Sequence, residues 1–160
     1  MSSALTSPNA VVEQPQGCTN QQLRQLMRRI SQYYDLEIGK AGLVGTQYSL
    51  LSHVVKLGPV RPGDLAHVMQ IDPSTLSRNL RPLIANGWLA LLQGDDARSR
   101  LITVTAAGRA KRTEAQRRWK VAQDGVNQLL GPQRVVALHA MIQESLQLLA
   151  NSRTEHEQFK

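Results

Sequence analysis

The sequence predicts a mainly α (α+β) fold in which helices dominate and one short β-hairpin interrupts them. Apolar residues recur at helical spacing through most of residues 19–150, which predicts a succession of amphipathic helices. Asp72-Pro73 and Thr105 are typical helix starts, whereas Asn86-Gly87 and Gly131-Pro132 are typical helix ends. Two apolar runs, "WLALL" and "RLITV", flank the polar segment "QGDDARS" and indicate two strands joined by a turn.

Four helices are predicted before the hairpin. The first lies near residues 19–38 and ends at "GKAGLVGT", and the second begins at Thr46 and ends at "LGPV". A short third helix has Pro62 in its first turn, a position that suits a residue without a backbone N–H. After the three-residue turn "QID", the fourth helix runs from Pro73 to about Ala85.

Two helices are predicted after the hairpin. Thr105 is the N-cap of the fifth, and Gly131-Pro132 separates it from the sixth. A helix-turn-helix followed by a two-stranded hairpin is the layout of a winged helix-turn-helix. Helices one, five and six carry more apolar surface than a small winged lobe can cover, so we expect them to form an interface between two copies of the chain.

These elements divide the chain into segments. We expect a disordered tail at residues 1–17 and a second flexible tail at residues 151–160, because neither stretch has a periodic apolar pattern. Residues 18–45 and 106–150 are expected to form a helical dimerisation region. Residues 46–105 are expected to form the winged helix-turn-helix lobe.

Basic residues are concentrated in one part of the chain. The net charge is +7, and eleven of the nineteen Lys and Arg residues, against five of the twelve Asp and Glu residues, lie within residues 61–120. A basic block inside one folded segment favours an acidic polymer, such as double-stranded DNA, as the partner. A generally basic protein without such a partner is the alternative that charge alone leaves open.

The sequence has few features of a membrane or secreted protein. No apolar run approaches the roughly 18 residues of a transmembrane helix, and "MSSALTSPNAVVEQPQG" lacks the basic start and apolar core of a secretory signal. The one cysteine, Cys18, cannot form an internal disulfide, which fits a reducing compartment. We therefore expect a cytoplasmic protein that does not bind membranes.

The fourth helix has one apolar and one polar face. Leu76, Leu80 and Leu83 fall at positions i, i+4 and i+7 and predict the buried face. The opposite face carries the predicted DNA-contacting residues Ser74, Thr75, Ser77, Arg78 and Arg81. Short hydroxyl groups let the backbone approach a phosphate or base edge, and an arginine one turn later can fork onto guanine O6 and N7. A solvated amphipathic face is the alternative for this helix alone, but its place after a first helix and a turn favours DNA recognition.

The turn of the hairpin carries charges of both signs. Arg98 is suited to a minor groove, because narrow A·T-rich stretches attract arginine. Asp96 can hold the Arg98 guanidinium in an ion pair and so reduce the ordering cost of binding, and Arg100 can reach the flanking phosphates. A solvated turn with a surface ion pair worth under about 1 kcal/mol is the alternative.

The sequence contains no recognisable catalytic or metal-binding motif. The segment "GKAGLVGT" lacks the Lys-Ser/Thr pair of a phosphate-binding loop, and no strand precedes it. His53, His67, His139 and His156 have no metal-ligand spacing, and a single cysteine cannot complete a zinc set. We therefore expect neither an enzyme nor a bound cofactor or metal. A winged domain that binds protein instead of DNA is the rival class, and weak salt dependence of binding would distinguish it.

The segment "LAHVMQIDPSTLSRNLRPLIANGWLALLQGDDARSRLITVTAAGRA" resembles the MarR family of bacterial transcription regulators. Its D-x-R wing motif is Asp96 and Arg98, and V-T-x-x-G follows at Val104, Thr105 and Gly108. The family's L-x-x-x-G-W and L-A motifs are matched by Leu83, Gly87, Trp88, Leu65 and Ala66. The segment "GLVGTQYSLL" is similar to the family's G-L-x-x-x-Q-x-x-L-L, and the likeness extends over residues ~20–150 in one order.

The resemblance implies an obligate homodimer in which helices one, five and six intertwine. It also implies a short inverted repeat as the DNA site, with recognition helices in successive major grooves and wings in the minor groove. Two-fold symmetry then predicts a pseudo-palindrome with half-sites about 10 base pairs apart. Typical members are repressors that a small molecule releases, often an aromatic acid or its thioester, although an activator is not distinguished by sequence.

The resemblance implies an effector cleft lined by helices one, two and five. The candidate effector-binding residues there are Arg28, Tyr33, Tyr34, Tyr48 and His53. Tyrosine and histidine can donate to a carboxylate, and Arg28 can pair with one. The alternative is that the tyrosines belong to the core or the interface and that His53 only packs.

Two positions depart from the family pattern. Arg61 stands where a Ser or Thr more often caps the third helix. Peroxide-sensing relatives place a reactive cysteine inside the first helix with two tyrosines; Tyr34 matches one of them, but Cys18 lies about two residues too early and the second tyrosine position falls near Gly45. An oxidant-sensing repressor that acts through Cys18 is therefore the alternative to a ligand-responsive one.

Overall fold

The computed structural model describes residues 16–94 and 100–157, and it describes residues 152–157 by their backbone alone. The elements within these ranges follow the predicted order of four helices, a hairpin and two helices, which confirms the mainly helical fold. Their bounds are Thr19–Gly39 (α1), Gly45–Leu57 (α2), Pro62–Met69 (α3), Pro73–Ala85 (α4), Leu89–Gln93 (β1), Arg100–Val104 (β2), Ala106–Leu130 (α5) and Pro132–Glu157 (α6). Most of the predicted N-terminal tail, residues 1–15, lies outside the described residues.

Helix α2 lies at the centre of the fold. Its residues Leu50, Leu51 and Val54 are fully buried, and the helix packs against α1, α3, α4, α5 and β2. Its first turn is stabilised from α1, because the Gly45 N–H donates to Asp35 Oδ1 at 2.8 Å. The helix begins at Gly45, one residue before the predicted start at Thr46.

The α3–turn–α4 unit is built by its caps. Arg61 is the N-cap of α3 and its side chain makes no capping hydrogen bond, as its identity led us to expect. Gln70 ends α3 in the left-handed conformation with φ 51°, and its N–H donates to the carbonyls of the preceding turn. Asp72 then caps α4 through a hydrogen bond from the Thr75 N–H. The turn orients α4 so that its predicted apolar face, Leu76, Leu80 and Leu83, is buried.

The hairpin is antiparallel, and its register runs from Leu89 opposite Val104 to Gln93 opposite Arg100. The first strand was predicted one residue too early, because the Trp88 N–H donates to the Leu83 carbonyl at 2.9 Å and so belongs to the turn that ends α4. Val60 also pairs with Ile102 through two backbone hydrogen bonds. Sequence patterns did not predict this bridge, since one residue between Pro59 and Arg61 shows no periodicity.

Helix α5 packs along α1 and carries α6 at its far end. Thr105 is its N-cap, as predicted, and its side chain accepts a hydrogen bond from the Gly108 N–H. Helix α6 continues to Glu157, so the boundary predicted at residue 151 between helix and tail is wrong. The segment "NSRTEHE" contains neither Gly nor Pro, and polar composition alone does not end a helix.

Large apolar side chains remain exposed on the outer helices of the chain. They are Leu23, Met27, Tyr33 and Leu36 on α1, Val121 and Leu129 on α5, and Val136, Met141, Ile142, Leu146, Leu148 and Leu149 on α6. The side chains of α6 that the structure describes, up to residue 151, include no fully buried one. Within the described ranges, no helix is long and apolar enough to cross a membrane.

Candidate nucleic-acid interface and ligand cleft

The polar face of α4 is available to a partner. Ser74, Ser77, Arg78 and Arg81 are exposed, and Thr75 is half-buried. The helix contains no acidic residue after its cap, so its outward face is neutral to basic. An exposed helix of this composition can enter a major groove with hydroxyl groups near the backbone and arginines near base edges.

The carboxylate of Asp72 organises the first turn of α4. It accepts hydrogen bonds from the hydroxyls of Ser74 and Thr75 and, at 2.9 Å, from the Thr75 N–H. Since these bonds favour the charged form, they hold the pKa of Asp72 well below its ordinary value, with the Ser74 hydroxyl the largest cause. The cap therefore stays ionised at neutral pH.

A groove of about 340 Å³ separates α4 from the hairpin. Its residues are Pro62, Gly63, Pro73, Leu76, Ser77, Leu80, Arg81, Ile84, Leu91 and Arg100. This mostly apolar groove is lined both by Arg100, the hairpin residue that was predicted to contact phosphates, and by Arg81 of the predicted recognition helix.

The residues predicted to enter a minor groove belong to the tip of the hairpin. Asp96 and Arg98, predicted to form a held arginine in the wing, lie outside the described residues. The last pair that the structure describes before the tip is Gln93 with Arg100. The minor-groove role of Arg98 remains a prediction from the sequence.

A second cavity, of about 360 Å³, lies where α1, α2 and α5 meet. Its lining residues are Tyr34, Ile38, Gly45, Tyr48, Ser49, Ser52, His53, Arg112 and Trp119. The Trp119 ring forms one wall, with its centroid 6.4 Å from the rings of both Tyr34 and Tyr48. A flat aromatic wall and a volume within the roughly 300–1,000 Å³ of small-ligand sites make this cavity a candidate ligand cleft.

Two polar atoms of the cleft have no partner in the described part of the chain. The Nε atom of Arg112 and the Oγ atom of Ser52 are buried without a hydrogen bond. Buried polar atoms are nearly always satisfied, so an unpaired donor in a cavity indicates a place for an acceptor group. The Arg112 guanidinium is held by Gln116, which does not line the cleft, because Nη1 donates to Gln116 Oε1.

Other polar groups of the cleft are already engaged. The Tyr34 hydroxyl donates to Gln123 Oε1 at 2.7 Å, and burial raises the pKa of Tyr34, so the phenol stays neutral. His53 Nδ1 lies 2.8 Å from the Ser49 carbonyl oxygen. An N–H at Nδ1 makes this contact a hydrogen bond, which leaves Nε2 as the ring's other polar atom.

Three of the five predicted effector-binding residues line this cleft, and two do not. Tyr34, Tyr48 and His53 are there, whereas Arg28 is exposed along α1 and Tyr33 is 47% exposed. The helix turns by about 100° per residue, so Tyr33 cannot share the direction of Tyr34, and a residue six positions earlier also points elsewhere. Arg28 and Tyr33 therefore do not line this cavity, and their role in effector binding stays a prediction from the sequence.

Arg112 takes the place in the cleft that was predicted for Arg28. It was missed because the predicted apolar face of α5 was read from its apolar residues alone. Arg112 lies three residues before buried Ala115 and seven before Trp119, which is the spacing of one helix face. A cation on the apolar face of a helix was the signal that could have identified it.

The start of α5 connects the cleft to the end of α4. Lys111, next to Arg112, donates from Nζ to the Ala41 carbonyl at 3.2 Å and lies 5.4 Å from the centroid of the Trp88 ring. The Thr105 hydroxyl donates to the Gly87 carbonyl at 2.6 Å. The start of α5, together with its N-cap Thr105, therefore carries a cleft residue and two groups that contact the turn after α4.

The redox alternative has limited structural support. Cys18 is exposed and is the N-cap of α1, where its side chain makes no capping bond. Tyr34 lies sixteen residues further along α1, about 24 Å at 1.5 Å per residue, so the two side chains are not neighbours within one chain. In the part of the chain that the structure describes, no three His, Cys, Asp or Glu residues form a group that could hold a metal ion.

Comparison with known proteins finds bacterial transcription regulators among the relatives of this chain. The model of the MarR family matches residues 41–99. An HTH-type transcriptional regulator of Bacillus subtilis, YwoH, is 27% identical over 93 residues, which are 58% of this chain and 68% of the relative. The M. tuberculosis regulator MosR, solved in complex with DNA, is 29% identical with a TM-score of 0.64 over 81% of this chain and 98% of its own. A mutant of E. coli MarR, solved with operator DNA, shares 18% identity and a TM-score of 0.74 over 79% of this chain and 92% of its own, which shows the common fold.

The helix-turn-helix, its hairpin and the exposed face of α4 define a winged helix-turn-helix DNA-binding protein. The match over the α2-to-hairpin region and the related regulators agree with that class. The chain is similar to the MarR family over residues 41–99, and the relatives that it resembles are transcription regulators.

Proposed function

We propose that this protein is a homodimeric repressor that binds a pseudo-palindromic operator and is released by a small aromatic carboxylate. The observation that carries the proposal is the continuity of α5, which has Arg112 in the cleft and Lys111 beside Trp88 at the end of α4. A ligand that changes the position of Arg112 changes the support of the recognition helix. DNA affinity then depends on whether the cleft is occupied.

DNA binding is assigned to α4 and the wing. Arg78 and the hydroxyl residues of α4 enter the major groove, and Arg81 with Arg100 contacts the backbone from the groove between helix and hairpin. The adjacent minor groove is assigned to Arg98, on the sequence argument alone. The basic block at residues 61–120 supports this assignment, since phosphate contacts supply much of the affinity of DNA-binding proteins.

Dimerisation is assigned to α1, α5 and α6. These helices expose apolar residues along their length, and Leu36, Val136 and Leu149 are each more than 60% exposed in the isolated chain. A surface of this kind normally marks an interface, and a two-fold dimer matches a two-fold operator. The two recognition helices then read half-sites about 10 base pairs apart.

The effector class follows from the cleft. Its aromatic wall at Trp119 and Tyr48 favours a flat apolar ring, and the unpaired Arg112 Nε and Ser52 Oγ favour an anionic acceptor beside it. A carboxylate on an aromatic ring satisfies both requirements. Tyr34 keeps its proton for Gln123, so it serves this ligand as a wall and not as a donor.

The proposal is tested by fluorescence anisotropy of the purified protein on DNA from its own upstream region. Salt is titrated for wild type and for Arg98→Ala. We expect tight, salt-steep binding whose slope falls by about one unit in the variant, because one phosphate-region cation is lost. A folded dimer that does not bind at low salt, or that binds without salt dependence, would instead indicate a winged domain with a protein partner.

A further inference from the structure

At the start of the recognition helix, hydrogen bonds link the side chains of Asp72, Thr75 and Arg78 in a row. Asp72 Oδ2 accepts the Thr75 hydroxyl at 2.6 Å, and the Thr75 Oγ1 in turn accepts Arg78 Nη2 at 3.2 Å. A hydroxyl has one proton, and Thr75 donates it in the hydrogen bond to Asp72. The oxygen of Thr75 is thereby turned toward Arg78 as an acceptor.

An N-cap alone does not require this arrangement. Capping needs one acceptor for a backbone N–H, which Ser, Thr, Asn and Asp provide about equally. Asp72 meets that need with Oδ1, which accepts the Thr75 N–H at 2.9 Å. Its second oxygen is surplus to the cap, and a negative charge is unfavourable beside DNA phosphates. The presence of a carboxylate at this position therefore indicates a role besides capping.

We propose that Asp72 is a positioning residue for base reading, which through Thr75 directs the guanidinium of Arg78 toward a guanine. This inference rests on the proposed DNA-binding role of α4. Arg78 is exposed and forms no ion pair among the described residues, so the Thr75 hydroxyl is the group that restricts it. One bond to Thr75 leaves the other guanidinium N–H groups free for a bidentate contact to O6 and N7.

We expect the hydrogen bonds among Asp72, Thr75 and Arg78 to affect which base the protein prefers. A long side chain that is already ordered loses less conformational freedom when it binds, and it favours the one base whose acceptors match its direction. A disordered arginine can reach phosphates or other acceptors instead. Loss of the hydrogen-bond chain should therefore reduce the preference for guanine at one position of each half-site and leave the other positions unchanged.

The test first defines the operator by selection from randomised duplexes with the wild-type dimer. Arg78→Ala then identifies the base pair that Arg78 reads. At that position the ratio of affinities for guanine and for the other bases is measured in Asp72→Asn, Thr75→Val and Thr75→Ser. Asn keeps the capping oxygen but presents an NH₂ where the second oxygen was, and Val keeps the backbone N–H for the cap but has no hydroxyl.

We expect the guanine preference to fall about three- to tenfold in Asp72→Asn and in Thr75→Val, and to persist in Thr75→Ser. The ratio is insensitive to the general gain in affinity that removal of a negative charge gives on every sequence. Unchanged ratios in both Asp72→Asn and Thr75→Val, or full guanine preference in Arg78→Ala, would overturn the positioning role while DNA binding itself stood. Absence of any selected sequence with wild type would overturn the proposed function together with this inference.

Discussion

Gly108 lies against the backbone of Trp88 so closely that a Cβ at position 108 would be 1.9 Å from the Trp88 carbonyl oxygen. The same carbonyl accepts the Thr105 N–H at 3.1 Å. The first turn of α5 therefore packs directly on the turn that follows α4. The glycine of the V-T-x-x-G motif has a steric role, since it permits this contact between two backbones.

Gly108→Ala is expected to destabilise the protein by about 1–3 kcal/mol, because the methyl group would clash with backbone and not with a movable side chain. Gly125→Ala in the same helix is the matched control, since a Cβ there meets no atom of the described residues within 4 Å. That control should gain up to about 1 kcal/mol from helix propensity. Urea denaturation of both variants measures the difference, and equal stability would contradict the close contact.

Thr105→Ala should lower the free energy of unfolding by about 0.5–2 kcal/mol, because it removes an N-cap. It also removes the hydroxyl that donates to the Gly87 carbonyl. Thr105→Ser keeps both hydrogen bonds and is the control. The check is thermal melting followed by circular dichroism, and a Ser variant as unstable as the Ala variant would show that the methyl group matters and the hydroxyl does not.

Much of the winged lobe could be predicted because its signals are local. Asp72-Pro73, the Leu76-Leu80-Leu83 face and Thr105 each act within one helical turn, and all three lie as predicted. The bridge between Val60 and Ile102 joins residues 42 positions apart and has no local signature. The continuation of α6 past residue 150 was missed for another reason, since polar residues are as compatible with a helix as with a tail.

Arg112→Gln should weaken release by aromatic carboxylates about ten- to a hundredfold, because it removes the charge-assisted bond that the unpaired Nε offers. Arg28→Gln is the control, since Arg28 is exposed and away from the cleft. The measurement is the concentration of benzoate or a hydroxybenzoate that halves operator binding in anisotropy. A large effect of Arg28 with none of Arg112 would restore the original assignment from the sequence.

The sequence predicted some residues of the cleft and missed others. Tyr34, Tyr48 and His53 were identified from side-chain chemistry and the implied position of the cleft. Which of two adjacent tyrosines faces inward depends on the rotation of α1 against α5, and that rotation is set by packing between helices. Arg112 was hidden for the same reason, because its usefulness depends on the cavity beside it.

The pH dependence of stability should reveal the Asp72 cap. Its pKa is lowered in the folded protein, so its contribution is present above the ordinary carboxyl pKa and is lost as the pH falls below about 4 toward the folded pKa. The difference in Tm between wild type and Asp72→Asn should therefore be largest near neutral pH and should shrink in acid. A difference that is constant from pH 7 to pH 3 would show that the carboxylate is not held by its hydrogen bonds.

Helix α5 runs without a break from Ala106 to Leu130, about 37 Å at 1.5 Å per residue. If its far end is fixed in a dimer, a tilt of about 5° moves its first residue by roughly 3 Å. The rise of one base pair is about 3.4 Å, so this lever can shift each recognition helix by nearly one step along the duplex. In the proposed dimer, a small rotation within the protein would therefore move the two recognition helices by nearly one base-pair step in opposite directions, so that they would no longer match a fixed operator.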